Sequence, residues 1–220
     1  MDRSRRTTIL IAAAIALVVI LSIGGVSLAV WIGDDGEGSS FEFTVEGWDD
    51  PSVRYLLFEA TGEGGEALTL TYDDAAGCFA AADGSGAYYG GTVSEVTAVG
   101  YTGIIEELLI PAQIIVRSDD GQPYADGVTA SAANVVAVDM PDVEQPNGAA
   151  LRLISELTVG ANVAYVSAHS FSYCEYLTRV VFEPSSVAVT LGDYCFLRCP
   201  LLDEVVEDGR TVVRGEGCFG

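Results

Sequence analysis

The chain has 220 residues and carries 32 acidic against 10 basic side chains, a net charge of −22, with half of its residues hydrophobic. That length suits one medium domain or two small ones, and so acidic a surface excludes nucleic acid as a partner and repels anionic headgroups. Five cysteines without a CxxC pair and a single histidine, His169, exclude a Cys/His zinc site of ordinary spacing.

Taken in chain order, Arg3, Arg5 and Arg6 precede an uncharged run of 24 residues from Ile9 to Ile32. A run of that length crosses a hydrocarbon layer of roughly 30 Å as a helix. It predicts a signal anchor over 9–32, with residues 1–8 cytoplasmic, Trp31 at the outer interface and residues 33–220 outside a membrane crossed once. The alternative is secretion: Ser27-Leu28-Ala29 offers a small-x-small cleavage site, releasing the chain near Ala29. Residues 33–40 are glycine- and acid-rich and read as a flexible linker.

Residues 41–100 predict a small antiparallel β unit. Phe41 to Val45 alternates like a half-buried strand. Arg54 to Ala60 and Ala67 to Tyr72 flank Gly62–Glu66 as a hairpin would. Ala87 to Val93 and Val96 to Tyr101 suggest a further pair. Within this unit Tyr88 and Tyr89 offer an aromatic platform for a sugar, against the plainer reading of strand packing. Asp73, Asp74 and Asp83 offer oxygens at a spacing that matches no EF-hand loop.

From residue 101 a pattern repeats. Ile154-Ser155-Glu156-Leu157-Thr158-Val159 returns 23 residues later as Leu177-Thr178-Arg179-Val180-Val181-Phe182, and 25 residues after that as Leu202-Asp203-Glu204-Val205-Val206. A second signature keeps step: His169-Ser170-Phe171 through Cys174, Tyr194-Cys195-Phe196 through Cys199, then Gly217-Cys218-Phe219. Ile105 to Pro111 and Val135 to Pro141 are looser copies, with the polar stretch Gln113 to Ala133 expected to loop out between them. Spacing of this kind belongs to leucine-rich repeats. It predicts a solenoid of short parallel strands with irregular or short helical connections over 101–220, incomplete at Phe219-Gly220, where no polar cap follows. Cys174 is equivalent to Cys199, and Cys195 to Cys218. Stacked positions of this kind fill with small buried thiols, and a disulfide between stacked pairs is the open alternative in an oxidising compartment.

The segment Leu191-Gly192-Asp193-Tyr194-Cys195-Phe196-Leu197-Arg198-Cys199 resembles the BspA-like leucine-rich repeats of bacterial surface proteins, with cysteine in place of the usual alanine. Gly100-Tyr101-Thr102-Gly103 is similar to the lead-in to a first unit. The resemblance covers 150–220 well and 100–150 loosely. It departs from the pattern at Val159-Gly160 and Phe182-Glu183, where Ile-Pro is expected. It implies a right-handed solenoid and a role in adhesion or partner binding.

In a Leu-x-x-Leu-x-Leu strand the fixed apolar residues point inward and the intervening ones outward. Glu107, Leu109, Ala137, Asp139, Glu156, Thr158, Arg179, Val181, Glu204 and Val206 are thereby expected on one exposed sheet face. Such a mixture of acids, small apolar groups and one guanidinium suits a protein or peptide ligand. No catalytic, metal or cofactor residues are expected: His169 replaces Tyr194 in the repeat, and no glycine-rich phosphate loop precedes a helix. The whole fold is therefore expected to be mainly β: a leucine-rich-repeat solenoid, a small antiparallel unit before it, and one transmembrane helix. Its expected work is non-catalytic recognition or adhesion at a cell surface. The alternative is a fragment of a larger cell-surface enzyme or glycan-binding protein whose active domain lies outside this chain.

Overall fold

The computed structural model describes residues 19–23, 26–30, 50–104, 106–125 and 127–220. The expected cytoplasmic residues 1–8, the interfacial Trp31, the linker 33–40, the strand Phe41 to Val45 and the repeat position Ile105 lie outside them. Strands β1 (Val19–Ile23) and β2 (Val26–Val30) form an antiparallel pair by themselves. The remaining strands follow in order. They are β3 (Leu56–Thr61), β4 (Ala67–Asp73), β5 (Cys78–Asp83), β6 (Glu95–Tyr101), β7 (Glu107–Ile110), β8 (Gln113–Ala125), β9 (Val128–Val138) and β10 (Glu156–Val159). After them come β11 (Tyr165–Val166), β12 (Arg179–Phe182), β13 (Val189–Leu191), β14 (Glu204–Val206) and β15 (Val212–Arg214).

Alternation builds the first half. In β3 and β4, Leu56, Phe58, Leu68 and Leu70 are buried while their neighbours face outward. Two residues per repeat is the period of a strand covered on one side. Neighbouring strands run in the order β9-β6-β3-β4-β5-β8, and β8 pairs back onto β9. The sheet thus closes into a six-stranded barrel, which leaves no free edge within it. Phe58 and Phe79 meet edge to face inside it at 5.1 Å. Around them sit Leu68, Leu70, Val96, Ala98, Ile114, Val116, Ala133 and Val135. Register shifts at Leu57/Phe58, Val96/Thr97 and Arg117/Gln122 supply the bends that closure needs.

Strand β9 does two jobs. Its antiparallel partner is β8, whereas Ala137 and Val138 pair in parallel with Tyr165 and Val166 of β11. From there β13 and β15 continue outward as a parallel ladder. Opposite it lies a separate four-stranded parallel sheet, β14-β12-β10-β7. Leu157, Val159, Val166, Val180, Phe182, Val189 and Leu191 fill the space between the two ladders and join the barrel residues in one core.

The fold-class expectation is corrected by this topology. The dominant element is a closed six-stranded barrel, and the parallel strands are two short ladders attached to it through β9; the chain is not a leucine-rich-repeat solenoid. Gln113 to Ala133, expected to loop out, supplies most of the hairpin β8–β9. Its polar look has a physical cause. Ile114 and Val116 face the lumen, while Ile115 packs outside with Ala76, Cys78 and Ala130 in a second small cluster. Small and polar residues suffice for the rest of a strand that pairs with β9 on both sides of the irregularity between Arg117 and Gln122. Val135 to Val138 likewise belongs to the barrel strand β9 and not to the four-stranded sheet.

The anchor over 9–32 is corrected too, and with it the single-pass cell-membrane location. Within that run Val19–Ile23 pairs antiparallel with Val26–Val30, and among the described residues no helix is long and apolar enough to cross a membrane. The run is rich in valine and isoleucine, whose branched Cβ favours strand. Length and hydropathy alone do not register that preference.

Two polar devices tie the ladders together. The Asn134 carboxamide oxygen accepts from Gln113 at 2.7 Å and from Asn162 at 3.0 Å, and Asn162 also donates to the Ala112 carbonyl. Arg210, only 3% exposed, donates to the carbonyls of Val187 and Gly160 at 3.0 Å each and to that of Val163. Burial lowers its pKa, and Glu183 opposes that shift. One side chain thus serves carbonyls from two earlier turns of the chain. Arg210→Met keeps the apolar stem and strands those carbonyls in the interior. Urea denaturation is expected to show a loss of about 3 kcal/mol, since hydrogen bonds to charged groups each contribute ~1.5–3 kcal/mol. A loss below about 1 kcal/mol would mean that water replaces the guanidinium.

Candidate functional site: the four-stranded parallel face

The repeated blocks form β10, β12 and β14, and the looser copy around Leu108 forms β7. Leu108, Leu157 and Val180 turn into the core at the first apolar position, and Ile110, Val159 and Phe182 at the second. The residues between them face out. Register then decides which stand together. Glu107, Glu156, Arg179 and Glu204 pair across successive strands as one row, and Leu109, Thr158, Val181 and Val206 as the next. Parallel neighbours lie about 4.8 Å apart, so each row extends roughly 14 Å across the sheet.

The charged row is internally paired. Arg179 donates to Glu156 at 2.8 Å on one side and approaches Glu204 at 3.1 Å on the other. Hydrogen bonding to Glu204, against desolvation and with the charge of Glu156 assisting, holds the Arg179 proton more tightly than in a free guanidinium. Three carboxylates against one guanidinium leave this row net acidic. The second row is apolar except for Thr158 and is partly buried. At the β7 edge the Leu109 amide donates to the Ser52 hydroxyl at 3.0 Å, so that edge is covered from the preceding chain.

Asp139 and Ala137 do not join this face. Ala137 lies near the end of β9 in the other sheet and Asp139 just past it, where the Asp139 amide donates to the Ala98 carbonyl. The remaining eight face residues come together. Sequence reading missed the position just before each strand. Glu106, Ser155, Thr178 and Asp203 are equivalent there; the Thr178 hydroxyl donates to the Ser155 carbonyl at 3.0 Å and the Ser155 hydroxyl to the Glu106 carbonyl at 3.3 Å. Aligning the blocks one residue earlier reveals this polar row, whose ends add two more acids to the rim.

The other features noted in the sequence are absorbed locally. Tyr88 is half exposed, but Arg117 lies over its ring at 4.8 Å and its hydroxyl donates to Asp119 at 3.3 Å. The Tyr89 hydroxyl accepts the Glu63 amide. Asp83 accepts the amides of Ser85 and Ala87 and the Ser85 hydroxyl, and these bonds, the hydroxyl first, hold its pKa below the usual carboxylate value. Asp73 accepts the amides of Ala75 and Ala76. These oxygens shape turns. Among the described residues no group of three or more His, Cys, Asp or Glu side chains is placed to hold a metal ion. His169 stacks on Tyr194 at 5.5 Å. Cys78 is fully buried, and desolvation pushes its thiol up to about 11, which suppresses the thiolate needed for nucleophilic chemistry.

No protein-family model matches the sequence, and no curated protein is significantly similar to it. Among solved structures, a leucine rich cell surface protein from Faecalibacterium prausnitzii A2-165 is distantly similar, at 17% identity and a TM-score of 0.39. The alignment covers 66% of this chain but 32% of that one, so the chain spans about a third of its length.

The ion row sets an electrostatic expectation. Arg179→Gln leaves Glu156 and Glu204 on either side of a neutral residue, and like charges on a sheet face repel. The thermal midpoint of the variant should fall most at low ionic strength and recover toward wild type in concentrated sodium chloride. A deficit that salt leaves unchanged would assign Arg179 a packing role.

Proposed function

We propose that this chain is a non-catalytic recognition protein that takes a protein or peptide segment on the β7-β10-β12-β14 face, with a preference for basic ligands. The observation that carries this reading is the pair of parallel rows. An acidic row lies beside a half-buried apolar row, each four residues wide and in strict register. At about 3.3 Å per residue, an extended segment of four or five residues laid across the strands matches a row of roughly 14 Å. Alternate side chains of such a segment meet the same surface. Lys or Arg would face the carboxylates while apolar side chains cover Leu109, Val181 and Val206. A chain of net charge −22 adds long-range attraction for a cationic partner. The motif Leu191 to Cys199, similar to BspA-like surface proteins, lies in turns that support this face, and partner binding is what that resemblance implies.

The test is selection from a random peptide library displayed on phage, panned against the wild-type chain and against a Glu156→Lys, Arg179→Glu, Glu204→Lys variant. Wild type should enrich peptides that combine Lys or Arg with apolar residues. The variant should bind those peptides about ten-fold more weakly or worse, as expected for lost charge complementarity. Equal enrichment by both proteins, or none above background, would refute the assignment of this face.

A further inference from the structure

We propose that Cys195 and Cys218 form a redox pair that a hydroperoxide closes into a disulfide, fastening the stretch of chain that carries β14 and β15 to the turn before it. The two sulfurs stand 2.9 Å apart, and both side chains are buried. The turns that hold them are stacked in register by backbone bonds: Tyr194 N–H to Glu216 and Phe196 N–H to Cys218. Phe171, Phe196 and Phe219 stack face to face beside them at 5.6 and 5.2 Å, within 8° of parallel. Adjacent parallel segments lie about 4.8 Å apart, inside the ~4.4–6.8 Å range of Cα separations that a disulfide spans. No backbone movement is required to bring the sulfurs together.

In the other stacked pair a hydrogen bond also joins Cys174 to Cys199, but the second sulfur has a further partner. Cys199 donates its thiol hydrogen to the Phe171 carbonyl at 3.2 Å, which engages that sulfur with the backbone. Within the proposed pair the two thiols are also unequal. The hydrogen bond between the two sulfurs lowers the Cys218 pKa against the opposing effect of burial, with a smaller contribution from the Arg214 charge; the same bond and burial raise that of Cys195. Cys218, at 3% exposure against 0% for Cys195, is the more accessible sulfur and the attacking thiolate. Its sulfur displaces hydroxide from the peroxide O–O bond and becomes a sulfenic acid. The Cys195 sulfur then attacks that sulfur, the S–S bond forms, and the hydroxyl leaves as water with the Cys195 proton. Two thiols lose two electrons and two protons, and one peroxide becomes two waters.

The closed loop runs from residue 195 to 218 and contains both β14 and β15. Cross-linking it constrains the unfolded chain and holds Glu204 in its row beside Arg179. The pair itself does not depend on the recognition reading, and the test below involves no ligand.

Purified full-length chain is treated with stoichiometric hydrogen peroxide, alkylated in denaturant and digested with trypsin. Cleavage at Arg152, Arg179, Arg198, Arg210 and Arg214 separates Cys174, Cys195, Cys199 and Cys218 into four peptides. The expected product lacks two alkylatable thiols and contains the 180–198 peptide linked to the 215–220 peptide. Its unfolding midpoint should fall by roughly 5 °C on addition of dithiothreitol, as loss of a loop-closing cross-link implies. The same treatment of Cys218→Ser should leave the midpoint unchanged by reductant. Unchanged thiols, a Cys174–Cys199 link, or cross-links only between molecules would each overturn the proposal. The wild-type peptide map decides the matter even if the serine variant folds poorly.

Discussion

The arrangement rests on the double pairing of one strand. β9 closes the barrel by pairing antiparallel with β8 and parallel with β6, and its end then starts the ladder of β11, β13 and β15. A barrel is the stiffest context available to a strand, because every neighbour is paired and no edge can slide. The first rung of the ladder is therefore fixed in height and twist by a closed structure. Each later rung copies that register through backbone bonds such as Ala164 N–H to Val136 and Thr190 N–H to Ala164. The opposite sheet is held across the shared core, so the rows of Glu107, Glu156, Arg179 and Glu204 inherit their alignment from the barrel.

Sequence legibility followed the number of faces a strand buries. The hairpin around Gly62–Glu66 shows clean alternation, and it matches β3 and β4 within a residue or two. The blocks at 156–159, 179–182 and 204–206 are strands because their apolar spacing reports one inward face. Strand β8 escaped detection for the opposite reason. It has a covered outer side at Ile115 and long stretches of Ser, Asp and Gly, so no single period marks it. The copy at Val135 shows how spacing misleads. Val135 and Val138 both turn inward because of the register shift at Val96/Thr97, which imitates the Leu-x-x-Leu step of the repeats. Asp139 was placed on the exposed face by that imitation. The apolar run before residue 33 misled through composition: it signals insolubility in water but does not choose between helix and strand.

The turns between the ladders carry an economy of a different kind. His169, Tyr173, Tyr194 and Arg198 adopt left-handed backbone with φ between 57° and 62°, and Gly217 matches them at 56°. Side chains rarely accept that conformation, so something must offset its cost at each position. Here the offset is stacking: His169 lies against Tyr194, Arg198 over Tyr173, Phe171 upon Phe196, and Phe196 upon Phe219. At Gly217 a Cβ would stand 2.5 Å from the Tyr194 ring, so glycine completes the column by leaving room for it. The lone histidine is held in this stack, and four of the five cysteines lie in or beside the same turns.

Because the barrel is closed and the ladders are open, the molecule is mechanically asymmetric. A load applied at the C-terminal end meets β15 and β14 first, each held to its neighbour by three residue pairs. Those strands peel singly, like rungs drawn from a ladder, while the barrel hairpin, bound by two long strands, bears load only after the ladders have been spent. Tension would therefore dismantle the acidic face from its Glu204 side inward, strand by strand, and leave the barrel intact as the stable remnant.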